Sequence, residues 1–172
     1  MDYLSLTFHI IRYLDGKVPD LPRVIETTLA LKDIDEPAGW LSDGLFTDHN
    51  NMDVAVLFRF GWSTAKAAQK QAMAEQIQKM LTWCLTESLQ ADGSFAYAAN
   101  DSLEENTYFG VAFLSRIGFF DRSRRFWTTK EFPESAEIRQ RILRFIAEHK
   151  KRGAAGGTYY ENSLQELNSE TE

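Results

Sequence analysis

The 172-residue sequence is poor in the residues that staple or punctuate a chain, with one cysteine, four prolines and ten glycines. A single Cys84 cannot close an internal disulfide or build a cysteine-rich zinc site, so it reads as a reduced, buried structural thiol. No uncharged apolar run approaches the roughly 20 residues needed to span a bilayer, so no membrane partner is expected. Residues 1–12 lack a basic leader and a small-residue cleavage site, so they do not form a signal peptide as written. The expected location is cytoplasmic, or secreted if the chain is a piece of a longer precursor. Positive charge is also in deficit. Lys+Arg 19 against Asp+Glu 25 gives a net charge of −6, which argues against a nucleic-acid binder, whose footprint is basic.

What is present is enough apolar matter, 44% of residues, for one domain with its own core. That domain is expected over residues 1–160. Residues 161–172 carry four glutamates and no Lys or Arg, a composition that predicts a disordered acidic tail.

An internal repeat is the most informative feature. Asp43-Gly44-Leu45-Phe46 recurs as Asp92-Gly93-Ser94-Phe95, with a weaker echo at Gly156-Gly157-Thr158-Tyr159. Apolar segments follow the first two turns, Val54-Ala55-Val56-Leu57-Phe58-Arg59-Phe60-Gly61 and Val111-Ala112-Phe113-Leu114-Ser115-Arg116-Ile117-Gly118. Aligned on the arginine, Phe8-His9-Ile10-Ile11-Arg12 falls into the same register, so there are three units. Each apolar segment precedes an amphipathic one of period near 3.6, marked by Leu21, Val24, Ile25 and Thr28, by Met73, Ile77, Met80, Leu81 and Cys84, and by Ile138, Ile142, Phe145 and Ile146.

Helix starts are signalled by Pro19 and Pro22, by Ser63 or Thr64, and by Pro133-Glu134. Ser102 and Glu105 have capping-box spacing, and Asn50 or Asn51 is placed to cap the middle inner helix. Gly61 and Gly118 stand where a glycine of positive φ would turn the chain out of a helix. A helix apolar nearly all round must be buried on every side, whereas an amphipathic one covers it from outside. The pattern therefore predicts an all-α fold of three stacked helical hairpins, inner helices side by side and outer helices behind them.

The stretch Gln90-Ala91-Asp92-Gly93-Ser94-Phe95 resembles the Q-x-x-G-x-W/F turn of the prenyltransferase and squalene-cyclase repeat. The alternation of inner and outer helices at about 50 to 60 residues is similar to the α/α toroids of terpenoid cyclases and protein prenyltransferase β-subunits. The resemblance covers roughly residues 3 to 160 and implies an α/α-toroid-like half ring. It does not extend to those enzymes' chemistry. The nearest string to a protonating D-x-D-D acid is Asp33-Ile34-Asp35-Glu36, ahead of Pro37 at a helix exit, and the lone cysteine lies in an outer-helix pattern rather than in a zinc set.

The polar residues cluster before the inner helices. Trp40, Asp43, Phe46, Asp48, His49, Asn50, Asn51 and Asp53 fall within one short stretch, and the next unit offers Asp92, Phe95, Tyr97, Asn100, Asp101, Glu104, Glu105, Asn106 and Tyr108. Carboxylates beside a histidine and aromatic faces are the ingredients of a sugar site, with Asp48, His49 and Glu105 as candidate catalytic groups. Trp40, Asp43, Phe46, Asp53, Asp92, Phe95, Tyr97 and Tyr108 are then the candidate ligand contacts. The alternative is structural: Asp43 and Asp92 orient Asp-Gly turns and the aromatics plug the hairpin ends. Asp48, His49 and Asp53 match no tight metal-ligand spacing, so neither metal nor cofactor is expected.

Arg12, Arg59 and Arg116 fall at the C-terminal ends of inner helices, where a cation complements the macrodipole or forms a basic rim for an anion. Two functions fit this pattern, a repeat module binding a ligand or partner on its concave and loop surface, and a carbohydrate-active hydrolase, lyase or epimerase. A terpenoid enzyme is a third. The apolar first helix, with Leu4, Leu6, Phe8, Ile10 and Ile11, predicts that a second copy or the remainder of a longer polypeptide covers that end of the stack.

Overall fold

A computed structural model describes residues 3–96, 102–151 and 157–168. Among them are seven α-helices: α1 (Tyr3–Tyr13), α2 (Leu21–Ala30), α3 (Asp48–Gly61), α4 (Ala67–Trp83), α5 (Leu103–Arg116), α6 (Ser135–Lys151) and α7 (Gly157–Asn168). A π-helical turn, Cys84–Ser88, continues α4, and a 3₁₀ turn, Arg122–Arg124, lies between α5 and α6. No strand occurs among the described residues, only isolated bridges such as Leu89 with Phe95. The all-α expectation is met.

The odd-numbered helices are the inner ones. α3 packs against α1 and α5, and α5 packs against α7, while α2 contacts α3 and α4. Their burial follows the apolar pattern. Every residue from Asn50 to Phe58 is buried on α3, and so is every residue from Gly110 to Ser115 on α5. Each large apolar side chain so buried, Phe58 and Phe113 among them, stabilises the fold by about 1.5–3 kcal/mol. Close approach to the inner helices is secured by glycine. A Cβ on Gly110 would lie 2.2 Å from the ring of Phe95, and one on Gly61 would lie 2.5 Å from Ile25 of α2.

Helix ends follow local chemistry, with four departures from expectation. α2 begins with Pro22 in its first turn, as the proline signal requires. α3 is capped by Thr47, whose hydroxyl accepts from the Asn50 amide at 3.1 Å, and not by Asn50 or Asn51. At α5, Ser102 accepts from the Glu105 amide at 3.1 Å, but the Glu105 carboxylate accepts from the Tyr159 hydroxyl at 3.3 Å, so its side chain is drawn toward α7. α4 starts at Ala67, later than Ser63 or Thr64, because the Thr64 hydroxyl bonds back to the Gly61 carbonyl at 3.2 Å and extends the end of α3. Gly118 takes φ +72 after α5, whereas Gly61 stays helical.

The largest correction concerns the C-terminus. Residues 161–168, expected as part of an acidic disordered tail, form most of α7, and the domain does not stop at 160. Tyr160, Ser163 and Leu167 are fully buried, Ser115 donates to the Glu166 carbonyl at 2.9 Å, and Arg139 donates to the Leu167 carbonyl at 2.8 Å. Among the described residues α7 therefore adds a further helix to the row, packed on α5 and α6. No described helix is long and apolar enough to cross a membrane.

Candidate functional site

The structure divides the sequence-singled residues into three groups. The first is structural. Trp40 is buried edge-on to Phe58, 5.8 Å between centroids, and its carbonyl accepts from Asn50 Nδ2 at 2.8 Å. Phe95 is fully buried beneath Gly110, and Phe46 is half-buried with its ring 6.2 Å from that of Trp83. Asp43 and Gly44 both take positive φ, 52 and 77, so Asp43 shapes an exposed turn. Asp92 accepts from the Ser94 amide at 2.9 Å and from its hydroxyl at 2.7 Å, which holds the carboxyl below its ordinary range and fixes the next turn. Phe95 is closed off from solvent, whereas Asp43 and Asp92 stay exposed on their turns. Tyr97, Asn100 and Asp101 lie outside the described residues.

The second group is a buried polar knot behind α3. Asp48 is 1% exposed and accepts hydrogen bonds from Ser88 and from the Cys84 thiol, both in the π-helical turn. Desolvation pushes its carboxyl from 3.8 to about 7, against the two hydrogen bonds, and the same burial, with Asp48 beside it, pushes the Cys84 thiol up. Asp48 is therefore held in the core by the π-helical turn rather than presented to solvent as an acid. No group of three His, Cys, Asp or Glu side chains among the described residues could hold a metal ion.

The third group does reach the inner face. His49 Nε2 lies 3.8 Å from Oδ2 of buried Asp53, one helical turn on, and its ring stacks on Phe109 of α5. The Phe109 ring is 5.2 Å from that of Tyr108, which is 5.9 Å from Tyr159 of α7, the partner of Glu105. An aromatic row thus crosses three inner helices, with His49–Asp53 at one end and Glu105 at the other.

Below that row the repeated arginines acquire distinct roles. Arg59 does not close its own helix. It donates from Nε and Nη2 to the Arg116 carbonyl at 3.1 and 2.7 Å and from Nη2 to the Arg124 carbonyl at 2.6 Å, stacked 4.9 Å over Phe126. Arg116 reaches forward in the same direction and grips Glu166 of α7 with both Nε and Nη2. Arg12, on α1, is exposed and forms no ion pair among the described residues, its guanidinium lying 5.8 Å over Phe8.

Arg12, Tyr108, Arg116, Arg124, Asn162, Gln165 and Glu166 line one cavity of about 370 Å³. α1, α5 and α7 all contribute to it. Desolvation and the nearby Glu166 raise the Tyr108 phenol, while Arg116 and Arg12 act in the opposite sense. A second cavity of about 440 Å³ lies between α1 and α2 with Leu4, Val24, Leu31 and Trp40 in its walls. Glu166, Asn162 and Gln165 were hidden in the supposed tail; the Tyr160-Leu164-Leu167 spacing was the available sign of a helix there.

The chain matches no family model, no curated protein and no solved structure.

Proposed function

We propose that the chain is a helical repeat module that holds a small ligand on the face formed by its inner helices. One observation carries this reading: side chains of α1, α5 and α7 meet around a single polar cavity of about 370 Å³, within the size range of small-molecule sites. Helices at opposite ends of a row share a cavity when the row is curved, which supports the α/α-toroid-like half ring. The candidate catalytic groups Asp48, His49 and Glu105 are not in its lining. Thermal-shift measurements of the wild type and Tyr108→Ala against a panel of small metabolites test the reading. At least one compound should raise the wild-type melting temperature and leave the variant unmoved; equal shifts in both proteins, or none in either, would contradict it.

A carbohydrate-active enzyme is the second reading, favoured by the His49–Asp53 pair at one end of an aromatic row and Glu105 at the other. Release of reducing ends from an oligosaccharide panel, lost in His49→Ala and Glu105→Gln, would select it. The terpenoid reading gains no support. Asp33 pairs with Lys32, Asp35 accepts from the Gly44 amide at 2.8 Å, and Cys84 is buried against Asp48.

Five of the exposed large apolar side chains, Tyr3, Leu6, Ile10, Tyr13 and Leu14, belong to α1 and the residue after it. They support coverage of this end by a second copy or by more of a longer polypeptide. Light scattering after size exclusion should show a dimer that Leu6→Glu with Ile10→Glu dissociates; a monomer that leaves an apolar dye unbound would oppose it.

A further inference from the structure

The inner-face cavity has a charge opposite to that of the chain around it. With a net charge of −6 overall, the protein brings three arginines, Arg12, Arg116 and Arg124, to this one lining against a single lining acidic residue, Glu166. Arg59 stands directly behind, donating to the carbonyls of Arg116 and Arg124, and its guanidinium is disfavoured first by burial and then by the charges of Arg124 and Arg116. Glu166 answers Arg116 and two backbone carbonyls answer Arg59, which leaves Arg12 as the exposed cation with no ion pair among the described residues.

The donors around the cavity are of two kinds. Arg12 is a fork of N–H groups with no ion pair among the described residues, and forks of this geometry match the paired oxygens of carboxylates and phosphates. The Tyr108 hydroxyl and the Asn162 and Gln165 amides supply neutral donors, and the Tyr108 phenol lies within electrostatic reach of both Arg12 and Arg116. Two carboxylates also act on Tyr108. Glu166 is gripped by Arg116, and Asp53 is buried on α3 beside His49.

We propose that this cavity binds a small organic anion through an oxyanion group, a phosphate monoester being the class that suits its charge, with Arg12 and Tyr108 as principal donors. The proposal rests on the reading of this cavity as the ligand site and adds the chemical class of the ligand. Glu166 occupies the guanidinium of Arg116 and so competes with an incoming anion for it. The seam that carries the site is held apart from that pair by the Ser115 hydroxyl on the Glu166 carbonyl, 2.9 Å, so Glu166 can change partner without α7 leaving α5.

Calorimetric titration of the full chain at low ionic strength tests this, with phenyl phosphate as the anionic probe and phenyl glucoside as the neutral one. Phenyl phosphate should bind at one site per chain. Arg12→Glu, an exposed replacement, should weaken it at least tenfold, whereas Arg144→Glu, an equal charge change on the exposed side of α6, should alter it less than twofold. Glu166→Gln should tighten it several-fold by removing the competitor, an effect that a purely structural Glu166 would not produce. Equal weakening by Arg12→Glu and Arg144→Glu would overturn the proposal. Binding of phenyl glucoside alone, lost in Tyr108→Ala, would overturn the anionic class and leave the ligand cavity standing; binding of neither probe would count against both.

Discussion

The imidazole of His49 on α3 lies flat on the ring of Phe109 on α5, with 4.1 Å between centroids and 15° between planes. This stack joins the two most extensively buried helices of the row at the surface where the candidate site begins. Pairs of this geometry contribute about 0.5–1.5 kcal/mol beyond the area they bury. A double-mutant cycle with His49→Ala and Phe109→Ala, followed by urea unfolding, should give a coupling of about 1 kcal/mol. Strict additivity would show that the rings touch without stabilising each other.

Asp48 makes stability depend on pH. Its carboxyl is pushed from 3.8 to about 7 by burial in the folded chain, so between those values the unfolded chain has released a proton that the folded chain keeps. Rising pH therefore favours unfolding across this window, and the burden is complete above about pH 7. Asp48→Asn lacks the titration, and its stability relative to wild type should improve by a few kcal/mol between about pH 4 and pH 7. Chemical denaturation at both ends of the range measures it. A difference that stays constant would mean that Asp48 is ionised in the folded protein.

The Gly110–Phe95 contact is a test of packing. Alanine at 110 places a Cβ within 2.2 Å of a fully buried ring, which must shift, so Gly110→Ala should cost about 1–3 kcal/mol despite alanine's better helix propensity. Phe95→Leu, mildly destabilising alone, should recover part of that loss when the two are combined. Melting temperatures of the four proteins in the cycle decide the point, and a stabilised Gly110→Ala would disprove the contact.

The three register-equivalent arginines should behave differently. Arg59→Met keeps the stem over Phe126 but removes every donation to the Arg116 and Arg124 carbonyls, and should cost about 2 kcal/mol. Arg59→Lys should recover little, because one ammonium cannot serve two carbonyls as a fork does. Arg12→Met should change stability by less than about 0.5 kcal/mol, since its side chain is exposed and unpaired among the described residues. Equal losses at the two positions would contradict the roles assigned to them.

The sequence shows the helices more readily than the site because the two depend on different ranges of interaction. A 3.6 period and the capping residues, glycines and prolines near helix ends are local signals, and they locate α1 through α6 to within a few residues. α7 escaped because its glutamates dominate its composition, although Tyr160, Leu164 and Leu167 already form one stripe. The cavity escaped with it, since three of its seven lining residues are on that helix. Aromatic residues near turns were equally ambiguous. Trp40 and Phe95 became core while Tyr108 reached the inner face, and only the packing of distant segments separates those outcomes. The register of Arg12, Arg59 and Arg116 was legible; that Arg59 and Arg116 reach forward to the next inner helix was not.

The location of the ligand site is tested most directly by following arginine Nε–Hε and backbone amide resonances during titration with phenyl phosphate. The expected result is progressive shifts at Arg12 and Arg116 and at the amides of Asn162, Gln165 and Glu166, on three different inner helices. Shifts confined to Val24, Thr28 and Leu31, around the cavity between α1 and α2, would contradict an inner-face site.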